Sequence, residues 1–197
     1  MNTLDSIEHV EVDSRESWRG WLEANHSQRN SIWVVTRKKT SGGPHVPYGD
    51  LRDEALCFGW IDSRPGRVDA DRSRLLVSPR RPGSGWSAVN KARIVVLTAE
   101  GRMAPAGLAA IARAEADGSW ARLDGAETGE PPADLAAALS TAGSAEAFAA
   151  FPLSSRRAIL EWVALAKRPE TRARRIADTA RLAAHGLRAN HPEAMGR

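Results

Sequence analysis

The sequence is short of several things, and each shortage narrows the reading. Among 197 residues there is one cysteine, Cys57. No intrachain disulfide can form, and a cysteine-based zinc site is excluded. The five histidines, at positions 9, 26, 45, 185 and 191, lack metal-ligand spacing. Neither a metal nor a cofactor is expected. No apolar run approaches the ~20 residues that span a bilayer. The opening stretch, Met1 to Asp13, lacks a basic start followed by an apolar run, so it does not resemble a signal peptide. It reads as a loose lead-in to the first helix. The expectation is a cytoplasmic chain with no membrane partner. The sequence also lacks Gly-x-Gly-x-x-Gly, a Walker loop, Gly-x-Ser-x-Gly and His-Glu-x-x-His. Nucleotide-binding, hydrolase and zinc-protease chemistry therefore have no sequence support.

What is present is typical of a globular protein, with 42% hydrophobic and 26% charged residues. The net charge of +4 is unevenly spread. Residues 1–30 carry six acids and three bases, residues 64–93 two acids and eight bases, and residues 154–188 three acids and nine bases. Such a balance favours an anionic partner, either a small acid or, less strongly, nucleic acid. An Ala-, Arg- and Gly-rich composition inflates arginine for other reasons, which weakens the nucleic-acid reading.

Hydrophobic spacing and caps predict the elements. Ser14 to Asn25 reads as a helix capped by Ser14 or Asp13, with Trp18, Trp21 and Leu22 on one face. Ser31 to Arg37 reads as a strand. A second helix should run from Asp50, its N-cap, to about Gly59. Residues 67–70 and 74–78 read as a hairpin turning at Asp71-Arg72. A long helix should open at Trp86 and end near Glu100, with Val89, Ala92 and Val96 facing a core. Pro105 suits the first turn of a helix ending at Gly118. Helices over 134–142, 154–166 and 170–185 follow. The expected fold is α+β: a small antiparallel sheet with helices (residues 1–100), then a helical C-terminal region (101–197).

Several residues could carry chemistry. Asp62 lies between a helix end and a strand, where side chains often face a cleft, so it reads as a ligand contact or general acid/base. A turn group paired with Arg64 is the structural alternative. Cys57 could be a nucleophile or a small core residue. Trp86, Asn90 and Arg93 fall at i, i+4 and i+7, a stripe that could stack on a planar ligand and bind its acid group. Arg80 and Arg81, between two prolines, could hold an anion, or form a solvated turn. In the last helix Glu170, Arg174, Asp178 and Arg181 read as an ion-pair stripe. Arg168, Arg172 and Arg175 have no obvious acids there, and the expectation is packing onto the acidic first helix or solvation.

The runs YGDLRDEALCFGWID (48–62), SPRRPGSGWSAVNKAR (78–93), EGRMAPAGL (100–108) and AKRPETRARRI (166–176) together resemble the YdeI/OmpD-associated, bacteriocin-protection family over about residues 12–188. The resemblance implies protection against a toxic compound and lends no reaction or cofactor. It leads to a small-molecule-binding protein whose anionic or aromatic ligand lies between the hairpin and the Trp86 helix. Trp60 and Trp86 would stack on it, Asp62 and Asn90 would hydrogen-bond, and Arg64, Arg80 and Arg93 would supply positive charge. Two alternatives stay open: an enzyme of secondary metabolism using Asp62 or Cys57, and a nucleic-acid-binding module.

Overall fold

The computed structural model describes residue 4 and residues 6–190. His191, and with it residues 191–197 of the expected helical region, lies outside the described residues, as do 1–3 and 5 of the expected lead-in. The chain divides into two compact units. The first comprises Met1–Gly83 and Val89–Asp117, and the second Ser84–Ala88 and Gly118–Arg197.

The first unit is built on a four-stranded sheet ordered β1-β2-β4-β3. Its strands are β1 (His9–Glu11), β2 (Ile32–Arg37), β3 (Trp60–Arg67) and β4 (Arg72–Pro79). Only β1 with β2 is parallel; the other pairs are antiparallel. With the helices of both units, this is the α+β fold the sequence predicts. The expected loose lead-in instead contains β1, whose three residues pair with a strand more than twenty positions away.

Helix α1 (Arg15–Asn25) starts where the sequence says it should. Ser14 and Ser17 form a reciprocal capping box, and Trp18 and Leu22 are buried one turn apart. Helix α2 (Tyr48–Cys57) has its N-cap at Pro47, three residues earlier than expected. Asp50 is therefore not the N-cap. It sits in the first turn, where the helix dipole favours an acid. The expected turn of the hairpin is also displaced. The carboxylate of Asp69 accepts from the backbone N–H groups of Asp71 (2.9 Å) and Arg72 (2.7 Å). That aspartate turn places residues 68–71 in the loop and starts the pairing at Arg67. Asp62 thus lies inside β3, next to a bulge between Asp62 and Arg64.

Helix α3 (Ala88–Ala99) begins after Trp86, so Trp86 does not share a helical stripe with Asn90 and Arg93. Its buried residues are Ile94 and Leu97. The expected core stripe of Val89, Ala92 and Val96 faces solvent instead, with Val89 63% and Val96 39% exposed. Helix α4 (Pro105–Ala116) has Pro105 at its first turn. It approaches the end of α2 so closely that a Cβ on Gly107 would lie 2.1 Å from the Cys57 carbonyl oxygen. The turn between α2 and β3 uses Gly59 at φ +75°.

The second unit is helical: α5 (Ala133–Thr141), α6 (Ala145–Ala149), α7 (Leu153–Ala164) and α8 (Pro169–Ala183). Short α6 falls in an Ala-rich segment with little periodicity to betray it. The core joins Leu135 and Leu139, Phe148, Ile159 and Val163, and Ile176 and Ala180. Trp86, in the segment that belongs to this unit, is buried with its ring 5.1 Å from Trp120.

Candidate functional site

Helix α2 carries a buried and a polar face of unusual kind. Leu51, Ala55 and Leu56 are apolar and buried, but so are Asp53 and Glu54. A buried carboxylate is costly unless charge and hydrogen bonds compensate it. Glu54, wholly buried, receives three guanidiniums. Arg15 Nε donates to Oε1 at 2.6 Å, Arg19 Nη1 donates to Oε2 at 2.9 Å, and Arg102 Nη2 donates to Oε1. Arg15 also reaches Asp50 at 3.1 Å. This cage ties α1, α2 and the α3–α4 connection together, and it is structural.

Asp53 is the second buried acid. Arg52 Nη2 donates to its Oδ1 at 2.8 Å, and Arg93 of α3 binds both oxygens. Burial on its own would raise this carboxyl, but hydrogen bonds from Arg93 and Arg52 outweigh it and hold the group below the usual carboxylate range. Arg93 is therefore engaged with Asp53, and Asn90 lies one turn before it on α3.

One turn ahead of Arg52 is Tyr48, whose hydroxyl donates to Asp62 Oδ2 at 2.7 Å. The Arg52 guanidinium stands 5.9 Å from the Tyr48 ring centroid. Burial, then the hydrogen bond to Asp62, raises the Tyr48 phenol above its ordinary range. Arg80 is buried, which pushes its guanidinium down to about 10, with the charge of Asp62 opposing that effect. It stays protonated at neutral pH. Asp62 and Arg93 thus each contact α2, through Tyr48, Arg52 and Asp53, which the sequence did not single out, while Arg80 feels the charge of Asp62. The i, i+4 spacing of Tyr48 and Arg52 was their only signal.

Tyr48 also lines an apolar slot of about 180 Å³, with Val46, Leu51, Pro65 and Leu75 as walls. His45 and Arg74 stand at its border. The Nδ1 of His45 lies 2.7 Å from the Arg37 carbonyl, which can only accept, so Nδ1 carries the proton. In the neutral ring Nε2 is then an acceptor. Arg74 lies over the Trp33 ring at 4.2 Å and touches His9 Nε2 at 3.1 Å. A larger crevice, about 510 Å³, is bordered by Glu11, Ser17, Arg37 and Arg72. Within it Arg72 pairs with Glu11, and Ser17 completes the α1 cap.

The remaining sequence candidates do not join the Tyr48 group. Trp60 is 1% exposed, donates from Nε1 to the His26 carbonyl at 3.1 Å, and meets Trp21 edge-on at 5.8 Å. It is a core residue, as is Trp86 in the other unit, so neither offers a face for stacking. Cys57 is fully buried, and burial, followed by the charge of Glu54, pushes its thiol to about 11. At neutral pH it is the protonated, unreactive form. Arg64 is exposed, and the register places it opposite Leu76, beyond the bulge from Asp62. The partner the structure gives Asp62 is Tyr48. In α8, Arg172 binds both oxygens of Asp134 (2.8 and 3.0 Å), and Arg175 lies over Trp162 at 4.8 Å. Both of these contacts are made with residues of the second unit. Arg181 pairs with Asp178 at 3.0 Å, as the expected stripe requires. No cluster of metal-ligating side chains occurs among the described residues.

Residues 10–110 match the model of a family described as a domain of unknown function, DUF8412. Residues 128–186 match the model described as bacteriocin-protection, YdeI or OmpD-associated (OmdA). Of the four sequence runs quoted above, 166–176 falls in the second match and the other three in the first. Comparison with curated proteins and with solved structures gave no match.

Proposed function

Because the chain belongs to the DUF8412 domain family over half its length, and that family has no assigned activity, we propose its function from its own residues and from the bacteriocin-protection segment that follows. The protein binds a small aromatic acid or phenol and protects by sequestering it. The observation that carries this reading is an apolar slot lined by Tyr48, whose hydroxyl is held by Asp62. The walls suit one planar ring. His45 Nε2 and the Tyr48 oxygen are acceptors for a ligand hydroxyl, and Arg74 offers a cation for its acid group. Convergent polar groups around an apolar cleft are the usual form of a small-molecule site.

The test uses 4-hydroxybenzoate as the probe, which has one ring, one hydroxyl and one carboxylate. Calorimetric titration should show binding that weakens about tenfold in Tyr48→Phe, the loss of about one hydrogen bond. Leu75→Trp, which fills the slot, should abolish it. Binding that survives both changes would place the site elsewhere. Mass spectrometry of the recovered probe distinguishes sequestration from modification, since a changed mass would make Asp62 or His45 a catalytic candidate.

A further inference from the structure

Strand β1 parts from β2 early. Val10 and Glu11 pair with Val34 and Val35, and the last bond runs from the Val12 N–H to the Val35 carbonyl at 2.9 Å. The chain then turns toward α1, and the Asp13 N–H donates to the Ser17 hydroxyl. Strand β2 continues through Thr36 and Arg37, opposite which β1 has no residue. The crevice of about 510 Å³ opens where the ladder parts. Successive residues of an inner strand direct their backbone N–H and C=O groups to opposite neighbours. Trp33 and Val35 bond toward the β1 side, while Lys38, just past the strand, donates to Asp71 beyond β3 and before β4. The Arg37 N–H therefore points to the β1 side, past the end of that strand.

The charges around the crevice are sorted by origin. Glu11 and Asp13 come from β1 and the turn after it, Arg37 and Arg72 from β2 and β4. Glu11 and Arg72 satisfy each other. The Asp13 carboxylate and the Arg37 guanidinium do not. Both side chains are exposed, and neither has an ion-pair or hydrogen-bond partner among the described residues. The arm of Arg37 runs against Gly43, where a Cβ would come within 2.5 Å of its Cδ. Val12, Val35 and Pro44 supply apolar lining. A ligand with only negative charge would meet Asp13, and one with only positive charge would meet Arg37. A molecule carrying both charges suits the two together.

We propose that this crevice binds a small zwitterion with an apolar body, an amino acid or a short peptide. The ligand carboxylate takes the Arg37 N–H and guanidinium, its ammonium pairs with Asp13, and its body lies on Val12, Val35 and Pro44. The volume falls within the roughly 300–1,000 Å³ of small-molecule sites. Thr36 is the one lining residue shared with the slot beside Tyr48, so this inference is independent of the ligand proposed above.

The amide resonances of the full chain are followed by NMR during titration with L-leucine and with L-alanyl-L-leucine, each to about 10 mM. At least one should move the Arg37 amide downfield in a saturable way, as its N–H gains a carboxylate acceptor. Which of the two binds tells the amino acid from the peptide. N-acetyl-L-leucine lacks the ammonium and L-leucinamide the carboxylate, and each should bind about tenfold more weakly than leucine or the dipeptide, whichever binds. Arg37→Met keeps an apolar arm without the charge. It should weaken the zwitterion about tenfold and narrow its advantage over L-leucinamide, with circular dichroism unchanged. If that variant does not fold, Gly43→Ala, which pushes the arm aside, reads the same contact and should weaken binding several-fold. No saturable shift with either zwitterion overturns the proposal. So does binding that leaves the Arg37 amide unmoved, or that N-acetyl-L-leucine and L-leucinamide match. Affinity indifferent to both Arg37→Met and Gly43→Ala overturns it as well.

Discussion

Replacing Glu54 tests whether the arginine cage holds the first unit together. Glu54 is 0% exposed and accepts from Arg15, Arg19 and Arg102, whose side chains are 24%, 30% and 30% exposed. Removing one partner of a buried ion pair costs about 3–5 kcal/mol, because the other charge is left uncompensated. Here three like charges are left facing one another. Their partial exposure lets water return to each, which argues for the lower end, about 3 kcal/mol. In a protein of this size each kcal/mol lowers the midpoint of thermal unfolding by roughly 2–4 °C. Glu54→Ala and Glu54→Gln should therefore both melt about 6–12 °C below the parent. Circular dichroism and tryptophan fluorescence report the same event, since Trp18, Trp21 and Trp60 all lie in this unit. Arg19→Ala in the Glu54→Gln background should cost much less than in the parent, because the arm it removes no longer has a carboxylate to hold. A shift below about 2 °C in both Glu54 variants would refute the reasoning. The cage would then be an ornament of the α1–α2 contact, and apolar packing alone would hold that contact.

Four other outcomes follow from the same geometry. Gly107→Ala drives a methyl into the Cys57 carbonyl, 2.1 Å away, and should cost about 3 kcal/mol or more in chemical denaturation. Gly101→Ala meets no neighbour but keeps φ at +67°, and should cost only about 1–2 kcal/mol. Asp53 has a folded pKa below its unfolded value, so its stabilisation is present above about pH 4 and fades as pH falls toward the lowered value. Asp53→Asn should be less stable than the parent at neutral pH, and the gap should close in acid melts. The Cys57 thiol, buried and raised to about 11, should resist a disulfide reagent in the native protein and react at once in denaturant. Rapid native reaction would mean that α2 opens readily.

Local signals carried much of the first unit. The capping box of Ser14 and Ser17, the Trp18–Leu22 spacing, the β-branched run of β2 and Pro105 at the start of α4 are each decided within a few residues. Where distant residues decide, the sequence misled. Strand β1 exists only because β2 lies beside it. The hairpin turn was misplaced because the Asp69 side chain competes with strand pairing. Helix α3 is apolar on two sides, so periodicity could not say which side is covered, and Val89, Ala92 and Val96 were assigned to the wrong one. The candidate site shows the same division. Asp62, Arg80 and Arg93 stand out as types in unusual places. The partners of Asp62 and Arg93, namely Tyr48 and Asp53, lie on α2 and are brought near only by folding. Trp60 and Trp86, which looked like stacking platforms, are consumed by their own cores.

The excursion of Ser84–Ala88 into the second unit has a consequence for biosynthesis. Trp86 leaves the ribosome 34 residues ahead of Trp120, its ring neighbour. At typical elongation rates that is a gap of roughly 2–7 s. Through that interval a large indole waits without its cover while the residues on either side of it are already able to form sheet and helix. The order of synthesis thus sets the order of assembly: the short segment must be kept from other apolar surfaces until the later helices emerge. Nascent chains stalled before Trp120 should be cleaved near Trp86 by a protease that spares the finished protein.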